Sequence, residues 1–207
     1  MKRFRNLLAA GLIALVAQPA LAETFGESVM AANILADLPA AIPLTWQHAR
    51  ALPAAPEGSA APAGGWQRLK AEPSREITLT LEADDKLSLR EGQRILAEFP
   101  KSAPHPILLM FLENVMRVVS QETGGSPHYI RNRMRMNLGA AEVSEGILKI
   151  RPFAQDRNAA RFGAFAELEI EVQWREGAPA EILSLSASLP SNPALYSETF
   201  RLKPRGE

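Results

Sequence analysis

Glu167-Leu168-Glu169-Ile170-Glu171-Val172-Gln173-Trp174 places a polar and an apolar residue in strict alternation. Successive side chains of a strand point to opposite faces, so the stretch reads as a strand with Leu168, Ile170, Val172 and Trp174 dry and the glutamates wet. One wet and one dry face marks an antiparallel sheet covered on one side only. Gly146 to Phe153, Glu181 to Leu189 and, less cleanly, Leu195 to Leu202 alternate in the same way. Gly177-Ala178-Pro179 and Pro190-Ser191-Asn192-Pro193 supply turns between them. Further upstream, Glu76 to Glu82 sets Ile77, Leu79 and Leu81 against Thr78 and Thr80, and Asp84-Asp85 follows as a turn.

The middle of the chain has a helical period. Ser88-Leu89-Arg90-Glu91 fits a capping box, which predicts a helix with Leu89, Ile95, Leu96 and Phe99 inward and an end at Pro100. A second helix is expected after His105, with Pro106 at the first helical position and Gly124 as a left-handed stop. Its apolar face, Ile107, Leu108, Phe111, Leu112, Val115, Met116 and Val119, is broad enough for burial on most sides. Helices ahead of a run of strands predict an α+β fold: an antiparallel sheet of about four to five strands with two or three helices on one face.

The first residues read as a secretory leader. Lys2, Arg3 and Arg5 precede an apolar run from Leu7 to Ala17, about half the length that spans a bilayer. Pro19 breaks the helix, and Ala20-Leu21-Ala22 offers small residues to a signal peptidase, so residues 1–22 are expected to be removed after Ala22 and the product to be periplasmic. Residues 23–50 then form an N-terminal segment, with a short helix over Thr24 to Leu38. Residues 51–65, rich in Pro, Ala and Gly, form a linker with too little apolar surface to offset its ordering entropy. Residues 66–207 are the expected folded domain, of ordinary single-domain size.

The chain has no cysteine, so an exported product must rest on its apolar core alone. It holds 23 basic and 23 acidic residues, and loss of the leader's three cations leaves 20 against 23. Such a balance argues against nucleic acid as a partner. No cofactor is implied. No metal site is implied either, because His48, His105 and His128 have no ligand spacing; His48 and His105 read as loop residues.

The most distinctive segment is Glu122 to Arg135. Ser126-Pro127 suits a helix start, which puts Ile130, Met134 and Leu138 on one side and Arg131 and Arg135 a turn apart on another. The same residues also alternate, and as a strand Tyr129, Arg131, Arg133 and Arg135 would share a face. The helix is preferred. Tyr129, Arg131, Arg133 and Arg135 are the candidate ligand-binding residues, because clustered guanidinium groups repel unless an anion joins them. The plainer reading has these arginines solvated or paired with Glu167, Glu169 and Glu171.

The expected function is therefore a non-catalytic periplasmic accessory protein. It would bind an envelope protein, or an anionic glycan or lipid head group. Two alternatives are kept. A serine-dependent hydrolase would use Ser126 and His128 but lacks a nucleophile elbow. A structural assembly subunit would offer an open sheet edge, for which Leu195 to Leu202 is the candidate. Trp46 and Trp66 could stack on a glycan or dock the N-terminal segment, and Trp174 closes a strand on its dry face.

Overall fold

A computed structural model describes residues 34–35, 43–54, 58, 66–82, 84–176 and 178–204. The leader lies outside these residues. So do most of the 51–65 stretch and all of the Thr24 to Leu38 segment except Ile34 and Leu35, of which Leu35 is buried in the core.

The chain runs β1 (Leu44–Ala51), β2 (Glu72–Leu81), β3 (Lys86–Glu91), β4 (Arg94–Pro100), α1 (Pro106–Thr123) and α2 (Pro127–Gly139). It continues through β5 (Ile147–Ile150), α3 (Ala159–Phe162), a 3-10 helix (Gly163–Glu167), β6 (Glu169–Arg175), β7 (Ala178–Ser188) and β8 (Ser197–Leu202). The strands make one antiparallel sheet of eight, in the order β4-β3-β2-β1-β8-β7-β6-β5. The class is α+β, but the expected four to five strands fall short of the eight observed.

Two differences account for the shortfall. Leu44–Ala51, ahead of Trp66, is a central strand that pairs with both β2 and β8. Ser88 to Pro100 is a hairpin and not a helix. Leu87 and Leu89 turn into the core from β3. Gly92 takes φ +55° in the two-residue connection, a conformation that L side chains rarely adopt, so the chain reverses there. Ser88, read as a helix cap, instead donates from Oγ to the Glu82 carboxylate, which Arg90 Nη2 also meets at 3.0 Å.

β1 to β4 and β5 to β8 are two meanders joined edge to edge by β1 and β8, from Trp46 opposite Leu202 to Ala51 opposite Ser197. The edges are therefore β4 and β5; β8, the expected open edge, lies between β1 and β7. The chain passes from one edge strand to the other through α1 and α2.

α1 forms where its caps predict. Pro106 holds the first position and Gly124 closes the end at φ 67°, its N–H donating to Ser120 O at 2.9 Å. Ile107, Leu108, Phe111, Val115, Met116, Val118 and Val119 are buried in one core with Leu44, Trp46, Ile77, Leu79, Val172, Ile182, Leu185 and Phe200 of the sheet. Trp46 is fully buried and donates from Nε1 to Ile182 O at 2.8 Å, so it has no face for a glycan. Trp66 lies under the Arg117 guanidinium, 5.5 Å from its ring centre, and Trp174 is core as its strand position implied.

Candidate functional site

Two groups of polar side chains stand out, and their burial separates their roles. The first lies inside the core. Glu198 and Phe200 lie on the buried face of β8, with buried Tyr196 just before it, which places a carboxylate where an apolar residue would be expected. Glu198 Oε1 accepts from His48 Nε2 at 2.8 Å, Arg50 Nη2 at 2.8 Å and Asn114 Nδ2 at 2.9 Å. Its Oε2 accepts from Arg50 Nε at 3.0 Å and from the Tyr196 hydroxyl at 3.1 Å. His48 Nδ1 accepts from Arg75 Nε at 3.0 Å, so the imidazole proton sits on Nε2 and points at Glu198. Arg75 in turn reaches Glu91 at 3.4 Å at the rim.

Burial alone would raise the Glu198 carboxyl, but the donors from His48 and Arg50 outweigh it and hold the group below its usual range. Burial and the neighbouring carboxylate push the Tyr196 hydroxyl well up. The carboxylate is saturated with donors and closed to solvent, so no oxygen is left for a ligand. This knot positions strands. His48 and His105, both expected in loops, are in fact buried in β1 and at the N-cap of α1. Burial lowers the His105 imidazole to about 4; its Nε2 donates to Ala180 O at 3.1 Å, while Nδ1 has no hydrogen-bond partner among the described residues.

The second group is on α2 and is open. Residues 127–139 are helical, with Pro127 at the first turn and Ile130, Met134 and Leu138 buried; Ser126 sits at the N-cap but makes no side-chain cap bond. Of the four expected ligand-binding residues, two are drawn into a local lock. The Tyr129 hydroxyl donates to Asp156, 2.7 Å from Oδ1 and 2.9 Å from Oδ2. Arg133 Nε lies 2.5 Å from Asp156 Oδ2 as an ion pair, although its N–H is not aimed for a hydrogen bond. Asn158 completes the lock, its backbone N–H donating to Asp156 Oδ1 at 2.7 Å and its side chain to the Tyr129 oxygen at 2.9 Å. Burial would raise Asp156, but the Asn158 amide, the Tyr129 hydroxyl and Arg133 outweigh it and lower the group. The segment Asp156-Arg157-Asn158 thus fastens α2 to the loop before α3.

Arg131 and Arg135 remain outside the lock. Arg131 Nη2 meets Glu113 Oε2 at 3.2 Å in an exposed pair of the kind worth little in water. Arg135 is exposed and makes no ion pair with any described residue. Arg157 and Arg161, on the loop and short helix flanking α2, are exposed as well. No α2 arginine reaches Glu167, Glu169 or Glu171. Glu169 and Glu171 point off the sheet face opposite the helices, where they pair with Lys149 and Arg151.

Ser126 and His128 make no hydrogen bond to each other; His128 Nδ1 lies 3.3 Å from Asn132 Nδ2. A groove of about 550 Å³ at the end of the sheet is lined by Arg175, Glu181, Leu183, Leu202, Lys203 and Pro204. Its cations are already engaged, Arg175 with Glu181 at 2.6 Å and Lys203 with Glu76 at 2.7 Å. Among the described residues no cluster of three or more metal-ligating side chains occurs, and no helix is long and apolar enough to cross a membrane. No protein family, curated protein or solved structure matches this chain.

Proposed function

We propose that the protein is an exported, non-catalytic binding protein of the cell envelope that takes an anionic ligand on the outer face of α2. The observation that carries this reading is Arg135, an exposed guanidinium without a described counter-ion, one helical turn from Arg131. The helix from Pro127 to Gly139 has three arginines and no acidic residue, in a chain of 23 basic and 23 acidic residues. Like charges so close cost free energy that an incoming carboxylate or phosphate relieves, and guanidinium forks match either geometry. The Asp156 lock supports the reading by tying α2 to the loop before α3 through Tyr129 and Arg133, which leaves Arg131 and Arg135 outside it. Export rests on the leader read from residues 1–22.

Titration with polygalacturonate, a soluble acidic glycan, tests the site. The doubly substituted Arg131→Ala, Arg135→Ala chain is expected to bind at least about tenfold more weakly, the loss of about 1.4 kcal/mol. Added salt should weaken the parent chain more than the variant. Equal binding by the two chains would remove α2 as the site.

A further inference from the structure

Building on the anion-binding reading above, we infer that the α2 face docks on an anionic phospholipid surface, with Met136 entering the head-group layer and the flanking guanidinium groups meeting lipid phosphates. Met136 is 61% exposed, against 46% for Ile95 and 36% for Ile147, the other exposed large apolar residues among those described. At 100° per residue, the buried stripe Ile130, Met134 and Leu138 puts Met136 on the outermost ridge of the helix. Arg131 and Arg135 fall on one side of it. Tyr129 and Arg133 fall on the other, toward the loop that carries Arg157 and the short helix that carries Arg161.

An apolar tip with an uncommitted cation on its flank, Arg135 about 100° round the helix and Arg131 beyond it, is the arrangement of an interfacial contact. The unbranched thioether adapts to an irregular acyl boundary, and the long arginine stems let their charges stay at head-group level. A soluble acidic glycan would use the arginines but gain nothing from Met136, and this separates the two ligands. Glu113, paired with Arg131, and the exposed Glu142 and Glu145 after α2 oppose the contact. Docking is therefore reversible and salt-sensitive.

Sedimentation of the full chain with mixed phosphatidylglycerol–phosphatidylcholine vesicles, and with phosphatidylcholine alone, tests the inference. Every variant carries the same leader, so differences between variants report α2. The parent chain is expected to favour the anionic vesicles. Met136→Gln should weaken that binding at least about fivefold, as should each arginine removed at positions 131 and 135, while Met136→Leu keeps it. Met136→Gln, which adds no charge, should leave polygalacturonate binding intact. Vesicle binding indifferent to all these changes, alongside arginine-dependent glycan binding, would overturn the lipid surface and leave the anion site standing. Indifference in both assays would overturn both.

Discussion

Glu198→Gln should lower the unfolding free energy by about 3–5 kcal/mol, the usual cost of breaking a buried ion pair by removing one partner. The carboxylate holds Arg50 through both oxygens and orients His48, Asn114 and Tyr196, all of them buried. Glutamine keeps the shape but removes the charge, and its amide nitrogen would turn donors toward donors. The Arg50 guanidinium then stays in the core without its hydrogen-bonded carboxylate. Because Glu198 joins β8 to β1, the loss falls on the seam between the two meanders. Urea unfolding followed by tryptophan fluorescence measures it, and a change below about 1 kcal/mol would show that the knot is dispensable.

The same carboxylate sets a pH dependence. Its folded pKa lies below the ordinary 4.5, so its contribution is complete above that value and is lost as pH falls through the folded pKa. The parent chain should therefore lose stability in acid more steeply than the glutamine variant.

Phe111→Ala should cost a similar amount, about 3–5 kcal/mol, for a different reason. Phe111 is fully buried under α1 and meets Phe200 of β8 edge to face, their ring centres 6.0 Å apart. Truncation leaves a cavity at the contact between the connecting helix and the central strands, which neighbouring side chains fill only in part. A variant that unfolds at the parent's urea midpoint would mean that α1 is not seated there. The two losses arise in contacts on the same strand, so the double variant should depart from additivity.

The sequence disclosed the parts of this fold that local chemistry determines. His105-Pro106 and Gly124 bracket α1 because a proline start and a left-handed stop act within a few residues. The β6 alternation was equally plain, since each of its dry positions is apolar. β1 was hidden for the opposite reason. Leu44 and Trp46 are followed on the same buried face by His48 and Arg50, and the group that satisfies them, Glu198, comes about 150 residues later. Glu198 itself breaks the dry face of β8, which explains why Leu195 to Leu202 alternated less cleanly. Ser88 to Glu91 satisfies a capping box and a strand alternation alike, and pairing across Gly92 decides between them.

The candidate site was legible as a segment but not as a division of labour. Charge and spacing mark Arg131, Arg133 and Arg135 as a set. That Asp156 takes Arg133 and Tyr129, while Arg135 stays uncommitted, depends on a loop some twenty residues on.

A nuclear magnetic resonance titration with polygalacturonate tests most directly where this protein binds. Amide shifts confined to residues 128–139 and to the flanking 157–161 are expected. Shifts gathered instead around the Arg175 and Lys203 groove or across the open sheet face, with α2 silent, would contradict the account.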